Sequence, residues 1–240
     1  AISQKAKTDY FHIDVMDGKF VSQDTYHKMI EYSNYIKRIS NLPLDVHLMV
    51  KDVAKAIDDF EAVEPNIITF HYEACTNKEE VMKNINRIKD AHAKVGISVK
   101  PETPIEEIYE FLPYIHVVLV MTVEPGKGGQ TMLSEMVQKI EKLKKYIDEN
   151  EKFTRDYFAK HFEAFHILPR EGTYLLWIDY TRTGMSEEEL EQWFLKEANV
   201  SVYMGSIFGE AGRGYIRLNL ASPRSLLKEA YERMRTAWRF

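Results

Sequence analysis

The sequence predicts an α/β protein whose first part is a partial TIM-type (β/α) barrel of about five βα units. Three observations carry this reading. From Asp9 to about Leu143, apolar β-rich runs alternate with longer helical patterns, as parallel strands joined by crossover helices require. The runs are apolar almost throughout, which fits a sheet covered on both faces. Polar residues gather at their C-terminal ends, where barrels of this type carry their sites. With 240 residues, 45% of them hydrophobic, the chain can build one large domain or two small ones with real cores.

Taken in order, the strands are Tyr10–Met16, Leu44–Met49, Ile67–Tyr72, Lys94–Val99 and Val117–Met121. Helices are predicted near Asp24–Ile39, Val53–Phe60, Lys78–His92, Ile105–Phe111 and Thr131–Ile147. Five strands cannot close with eight-strand geometry. The sheet edges are therefore bare, open to self-association or to cover by strands from the C-terminal segment, which otherwise forms a separate lobe.

The first strand places His12 and Asp14 two residues apart, hence on one face, and the second adds His47. Two imidazoles and a carboxylate from adjacent strand ends suit a divalent cation. The same residues also read as polar strand termini hydrogen-bonded to neighbours, and spacing alone leaves both readings open.

Composition removes several classes of function. A net charge of -5 gives no electrostatic reason for binding nucleic acid or an anionic membrane surface. Lysines mix with glutamates over Glu79–Lys94 and Ser134–Lys152, the pattern of solvated helix faces. With Cys75 as the single cysteine no intrachain disulfide can form, which points to a reducing, cytoplasmic setting. The longest apolar run, Val117–Met121, is far too short to span a membrane, and no secretory signal is read.

Five stretches narrow the reading: His-Ile-Asp-Val-Met-Asp-Gly at 12–18, Leu-Asp-Val-His-Leu-Met at 44–49, Thr-Phe-His-Tyr-Glu-Ala at 69–74, Lys-Pro-Glu-Thr-Pro at 100–104 and Val-Met-Thr-Val-Glu-Pro-Gly-Lys-Gly-Gly-Gln at 120–130. In order and spacing, over about the first 150 residues, they resemble the ribulose-phosphate 3-epimerases. The resemblance implies a metal-dependent sugar-phosphate isomerase. It makes His12, Asp14 and His47 ligands of a zinc, manganese or iron ion, with Asp14 doubling as acid/base. It also sets Met16, Met49 and Met121 around the reaction centre and Gly128 and Gly129 in a loop that holds the substrate phosphate. Departures accompany the match. Ala1–Thr8 looks like the tail of a first helix. The family's later Val-Asp-Gly-Gly strand, with a fourth ligand and second acid/base, and its Gly/Ser phosphate turn do not occur.

From about residue 151 a second resemblance takes over. Pro-Arg-Glu-Gly-Thr-Tyr-Leu-Leu-Trp-Ile-Asp at 169–179, Ser-Glu-Glu-Glu-Leu at 186–190 and the stretch Gly205–Arg224 resemble the C-terminal small domain of fold-type I pyridoxal-phosphate enzymes, in particular cystathionine β-lyase-like aminotransferases. Strands are expected at Tyr174–Tyr180 and Tyr215–Leu220, a capping box at Ser186 and Glu189, and a final helix from Pro223 to about Trp238. The glycines at 205, 209, 212 and 214 mark a turn or a ligand-approach loop. In that family the arginine of the Tyr-Ile-Arg-Leu-Asn strand, here Arg217, grips a carboxylate. With no large domain to supply a Schiff-base lysine, no pyridoxal phosphate is expected, and Arg217 should be vestigial, paired with a local acid or facing solvent. The joint over Lys142–Thr154 reads as continuous charged helix or a helix pair.

The fold expected is thus an α/β chimera: residues 1–150 a truncated epimerase-like barrel, residues 151–240 an α+β aminotransferase-like small domain, joined by engineering or recombination. Its expected function is half of a sugar-phosphate epimerase site without complete native activity. Two alternatives stand beside it: a working epimerase whose second acid/base comes from the C-terminal segment, with Asp179 the stand-in, and a structural scaffold without activity. Of the remaining residues, His71 either faces the barrel interior near the metal site or, the preferred reading, is a satisfied core histidine, and Cys75 is expected as a small buried residue. Trp177, Trp193 and Trp238 are expected in the core, and His161 and His166, five apart, do not share a helix face.

Overall fold

The computed structural model describes residues 8–238. The chain divides into two compact units, one reaching Glu141 and the other starting at Lys142. The helix tail expected over Ala1–Thr8 lies, except for Thr8, outside the described residues.

The first unit is a five-stranded parallel sheet in the order β1-β2-β3-β4-β5. Its strands are β1 (Phe11–Met16), β2 (Leu44–Met49), β3 (Ile67–His71), β4 (Lys94–Val99) and β5 (Val117–Val120). Between them run α1 (Tyr26–Ile39), α2 (Val53–Glu61) and α3 (Lys78–Asp90). The caps are local chemistry: Asp52 accepts the Lys55 N–H at the start of α2, and Asn77 accepts the Glu80 N–H at the start of α3. The expected helix at Ile105–Phe111 is instead a run of 3₁₀ turns over Ile105–Tyr114. Pro113 inside it has no N–H and its ring crowds the preceding turn, so the α-helical ladder cannot continue there.

Period-two alternation sorts the sheet into two faces. One carries Ile13, Val15, Val46, Leu48, Ile68, Phe70, Val95 and Ile97, all buried. Buried helix residues such as Ile57, Phe60, Ile85 and Ile88 complete that core. The other face carries His12, Asp14, Asp45, His47, Thr69, His71 and Ser98, brought side by side by the parallel register. Gly96 sits on this face because Thr69 leaves no room for a side chain. A Cβ on Gly96 would stand 2.2 Å from Thr69 Oγ1.

The helix expected at Thr131–Ile147 is α4, Glu135–His161, one continuous helix of 27 residues that includes the joint. After it come β6 (His166–Ile167), β7 (Leu175–Asp179), α5 (Glu187–Gln192) continued by a π-turn over Trp193–Glu197, β8 (Tyr203–Met204), β9 (Tyr215–Asn219) and α6 (Arg224–Ala237). The four strands form their own antiparallel sheet in the order β6-β7-β9-β8. β7 and β9 pair with each other in this sheet, the separate lobe that stands as the alternative to edge-capping. The Ser186–Glu189 capping box forms.

This unit's core gathers Phe158, Phe162, Leu176, Ile178, Trp193, Ile216 and Tyr231, with Trp238 packed against it. A buried polar knot ties α4 to the strand-to-helix turn before α6. Asn150 donates to the carbonyls of Leu220 (2.8 Å) and Ser222 (2.9 Å), and Thr154 meets the Tyr231 hydroxyl at 2.7 Å. Among the described residues no helix is long and apolar enough to cross a membrane.

Gly96→Ala should destabilise the first unit by about 1–3 kcal/mol through overpacking. Adding Thr69→Ala should recover part of that loss, because it removes Oγ1 and Cγ2, two of the three atoms the new methyl meets. Urea melts of the two single variants and the double variant measure the coupling.

Candidate metal centre

The parallel pairing of β1 with β2 sets Asp14 opposite His47 and His12 opposite Asp45. Asp14 Oδ1 then lies 3.1 Å from His47 Nδ1 and 3.3 Å from His12 Nε2. One ligand atom from each of His12, Asp14 and His47 falls within 4.8 Å of the others. Donors on a tetrahedral zinc at about 2.0–2.1 Å stand about 3.3 Å apart, so the spacing, two nitrogens and one oxygen, fits a divalent cation.

The charges around this point already favour a cation. Hydrogen bonds that His12 donates, first to Asp14 and then to Asp45, whose Oδ2 lies 2.8 Å from His12 Nδ1, push the His12 pKa up to about 10 despite partial burial. Hydrogen bonds from His12 and His47 hold the Asp14 carboxyl far below the usual carboxylate range.

Beyond His47 the polar chain continues inward. His47 Nε2 is 3.0 Å from His71 Nε2, and His71 Nδ1 is 3.3 Å from Glu73 Oε2. Glu73 Oε1 accepts the Lys100 N–H at 2.8 Å and the Thr103 hydroxyl. Burial alone would raise the Glu73 carboxyl, but the bonds from His71, Thr103 and Lys100 outweigh it and hold it low. Burial is the main reason His71 is depressed. Phe20, from the turn after β1, lies over His71 with ring centroids 4.8 Å apart. That turn is anchored by Asp17, whose carboxylate accepts the backbone N–H groups of Lys19, Phe20 and Lys51.

A cavity of about 280 Å³ opens beside the cluster, lined by His12, Asp14 and His47 together with Met16, Met49 and Met121, and by Gly128. Gly129 is not on its wall; it takes a left-handed turn with φ 72°. Arg217 belongs to the second unit, where among the described residues no acid pairs with it. It is half-buried: its guanidinium is 3.8 Å from the Phe208 ring centre and 5.2 Å from that of Tyr203, and its Nε is buried without a hydrogen-bond partner. Asp179 is engaged in its own turn, accepting the Thr181 N–H and hydroxyl. The glycines at 205 and 212 are a close backbone packing rather than an approach for a ligand, since a Cβ on either would stand about 2 Å from the other's carbonyl oxygen. Cys75 is half-buried, with its thiol pushed up to about 11 by desolvation.

Sequence reading missed Asp45, Glu73 and Thr103, and ranked a place for His71 near the metal site behind that of a core histidine. The available signals were the two-residue spacings Asp45–His47 and His71–Glu73, which place each pair on one sheet face.

Comparison with known proteins agrees with the first unit. The profile of the Ribulose-phosphate 3 epimerase family matches residues 2–157, well over half of the chain. The ribulose-phosphate 3-epimerase of Methanocaldococcus jannaschii is 41% identical over 148 residues, covering 62% of this chain and 60% of that protein. The ribulose-phosphate 3-epimerase of Bacillus subtilis is 36% identical over 149 residues, covering 62% and 66%. The chain thus spans about two thirds or less of these relatives' length. Among solved structures, cystalysin of Treponema denticola, which contains pyridoxal 5'-phosphate, aligns over 94% of this chain and 70% of its own at 16% identity, with a TM-score of 0.41. On the family profile and the aligned relatives, the chain belongs to the ribulose-phosphate 3-epimerase family.

Proposed function

We propose that the first unit is a metal-dependent sugar-phosphate epimerase site reduced to one working face. His12 Nε2, Asp14 Oδ1 and His47 Nδ1 take a zinc, manganese or iron ion, and the adjoining cavity takes a pentulose phosphate such as ribulose 5-phosphate. The observation that carries this reading is the convergence of those three donors at ligand spacing, in a chain of this family. A cation bound there supplies Lewis-acid stabilisation of negative charge on the substrate's carbonyl oxygen.

The chain's own residues do the rest. Asp14 has Oδ1 between two imidazoles, which leaves Oδ2 to take a proton from the carbon next to the carbonyl. Met16, Met49 and Met121 give the reacting carbons a polarisable apolar wall. The Gly128–Gly129 turn brings backbone N–H groups toward the phosphate. Epimerisation also needs an acid/base on the opposite face. Asp45, the carboxylate beside the cluster on the next strand, is tied to His12. The proposed outcome is proton exchange on one face, with net epimerisation lost or severely reduced.

For residues 151–240 we propose separate descent, from the small domain of an aminotransferase-like enzyme, joined near residue 150. The three quoted motifs support this, as does the unit's own sheet and core. Arg217 is then a vestigial carboxylate grip, now stacked on aromatic rings, and no pyridoxal phosphate is used.

With metal added, the chain should incorporate solvent deuterium next to the carbonyl of ribulose 5-phosphate, and Asp14→Asn should cut that rate by about 10²-fold or more. Mass spectrometry of the recovered sugar phosphate reads it; no exchange above buffer defeats the proposal. Without metal, His12 contributes a pH signature. Its folded pKa of about 10 lies above the ordinary 6.5, so its stabilisation is complete below pH 6.5 and is lost as pH rises through 10. Urea midpoints should therefore fall more across that window for the chain than for His12→Gln.

A further inference from the structure

Resting on the reading that His12, Asp14 and His47 take a divalent cation, we infer that His71 and Glu73 are positioning residues that dictate which nitrogen of His47 carries the proton. The argument is donor counting along one buried chain. His47 Nε2 and His71 Nε2 face each other at 3.0 Å, so one donates and the other accepts. His71 Nδ1 faces Glu73 Oε2, and a carboxylate only accepts. A neutral His71 therefore keeps its proton on Nδ1 and presents a lone pair at Nε2. Without a cation, Asp14 Oδ1 competes for the His47 proton from 3.1 Å on Nδ1; with a cation holding Asp14, the His71 lone pair keeps that proton on Nε2 and leaves His47 Nδ1 bare beside Asp14 and His12, where a ligand atom is needed.

The direction of Glu73 is itself set from the far side. Its Oε1 is occupied by the Lys100 N–H and the Thr103 hydroxyl, so Oε2 must serve His71. Water cannot stand in for these partners: His71 is 0% exposed and His47 2%. His12 has a parallel arrangement, with Nδ1 on Asp45 and Nε2 toward Asp14, but its side chain is 46% exposed and open to solvent. The His71–Glu73 arm is thus the one on which the ligand set depends.

The test is zinc affinity of the full chain, by competition with a chromophoric chelator, for the unaltered protein, Glu73→Gln, His71→Phe and the double variant. In Glu73→Gln, Lys100 and Thr103 hold the amide oxygen, so the amide NH₂ faces His71 Nδ1. His71 then carries its proton on Nε2, and His47 accepts it there and protonates on Nδ1, which closes the ligand position. Each single variant should bind zinc about 10–100-fold more weakly, and the double variant no more weakly than His71→Phe alone. In the ¹⁵N-labelled, zinc-loaded unaltered protein, long-range imidazole spectra should show protons on His47 Nε2 and His71 Nδ1, a readout that needs no variant. A proton on His71 Nε2, Glu73→Gln binding zinc as tightly as the unaltered chain, or additive losses would each overturn this inference alone. Failure of the unaltered chain to bind zinc overturns the parent reading, and this one with it.

Discussion

The in-register parallel pairing of β1 with β2, from Phe11 opposite Leu44 to Met16 opposite Met49, is the constraint on which the rest of the first unit depends. Side chains alternate with period two, so this one register decides both the core and the site. Ile13 and Val15 join Val46 and Leu48 on the apolar face, while His12 and Asp14 meet Asp45 and His47 on the other. A slip of one residue would carry Asp14 into the apolar layer and turn Val15 outward. The strength of the hydrophobic requirement on one face thereby enforces ångström-level placement of charge on the other.

That polar face is costly to bury, and its chemistry follows from how the cost is met. A buried imidazole or carboxylate without partners loses its hydration with no return. Here each successive group finds one: Asp45 with His12, His12 with Asp14, Asp14 with His47, His47 with His71, His71 with Glu73. The chain ends on a backbone N–H and a hydroxyl, which fix its polarity. Phe20 lies over the His71 ring, and the outer end stays open at the cavity. An inner end held dry and oriented and an outer end open to a ligand are what an enzyme site needs in order to hold charged groups without leaving them to solvent. Ser98 Oγ, on the same face, is buried without a partner.

The second unit follows a different logic. Its aromatic-rich core and antiparallel sheet make it compact in its own right, and its charged residues are spent on structure. Arg170 binds Glu151 and Asp148, Arg155 caps the carbonyls of Ile167 and Leu168, and Asn150 holds the turn before α6. Arg217 is the exception, a cation stacked on aromatic rings with a buried unpartnered Nε.

The sequence by itself determined the elements whose cause is local. The five parallel strands follow from apolar runs between turn residues, and the Ser186–Glu189 cap from a four-residue pattern. The His12–Asp14 pair follows from two-residue spacing, and with the motifs around it, His47 as their partner. It did not register the two-residue strands β6 and β8, too short to show alternation, nor the 3₁₀ run at Ile105–Tyr114, where Pro113 overrides a helical apolar pattern. Only the tertiary structure decided that Asp45, His71, Glu73 and Thr103 join the site, because their partners are 24 or more residues away in sequence, except for the His71–Glu73 link. Local spacing can say which face of a strand a side chain takes. Which residues that face then meets depends on strand order and register, and those are settled by the packing of the whole sheet.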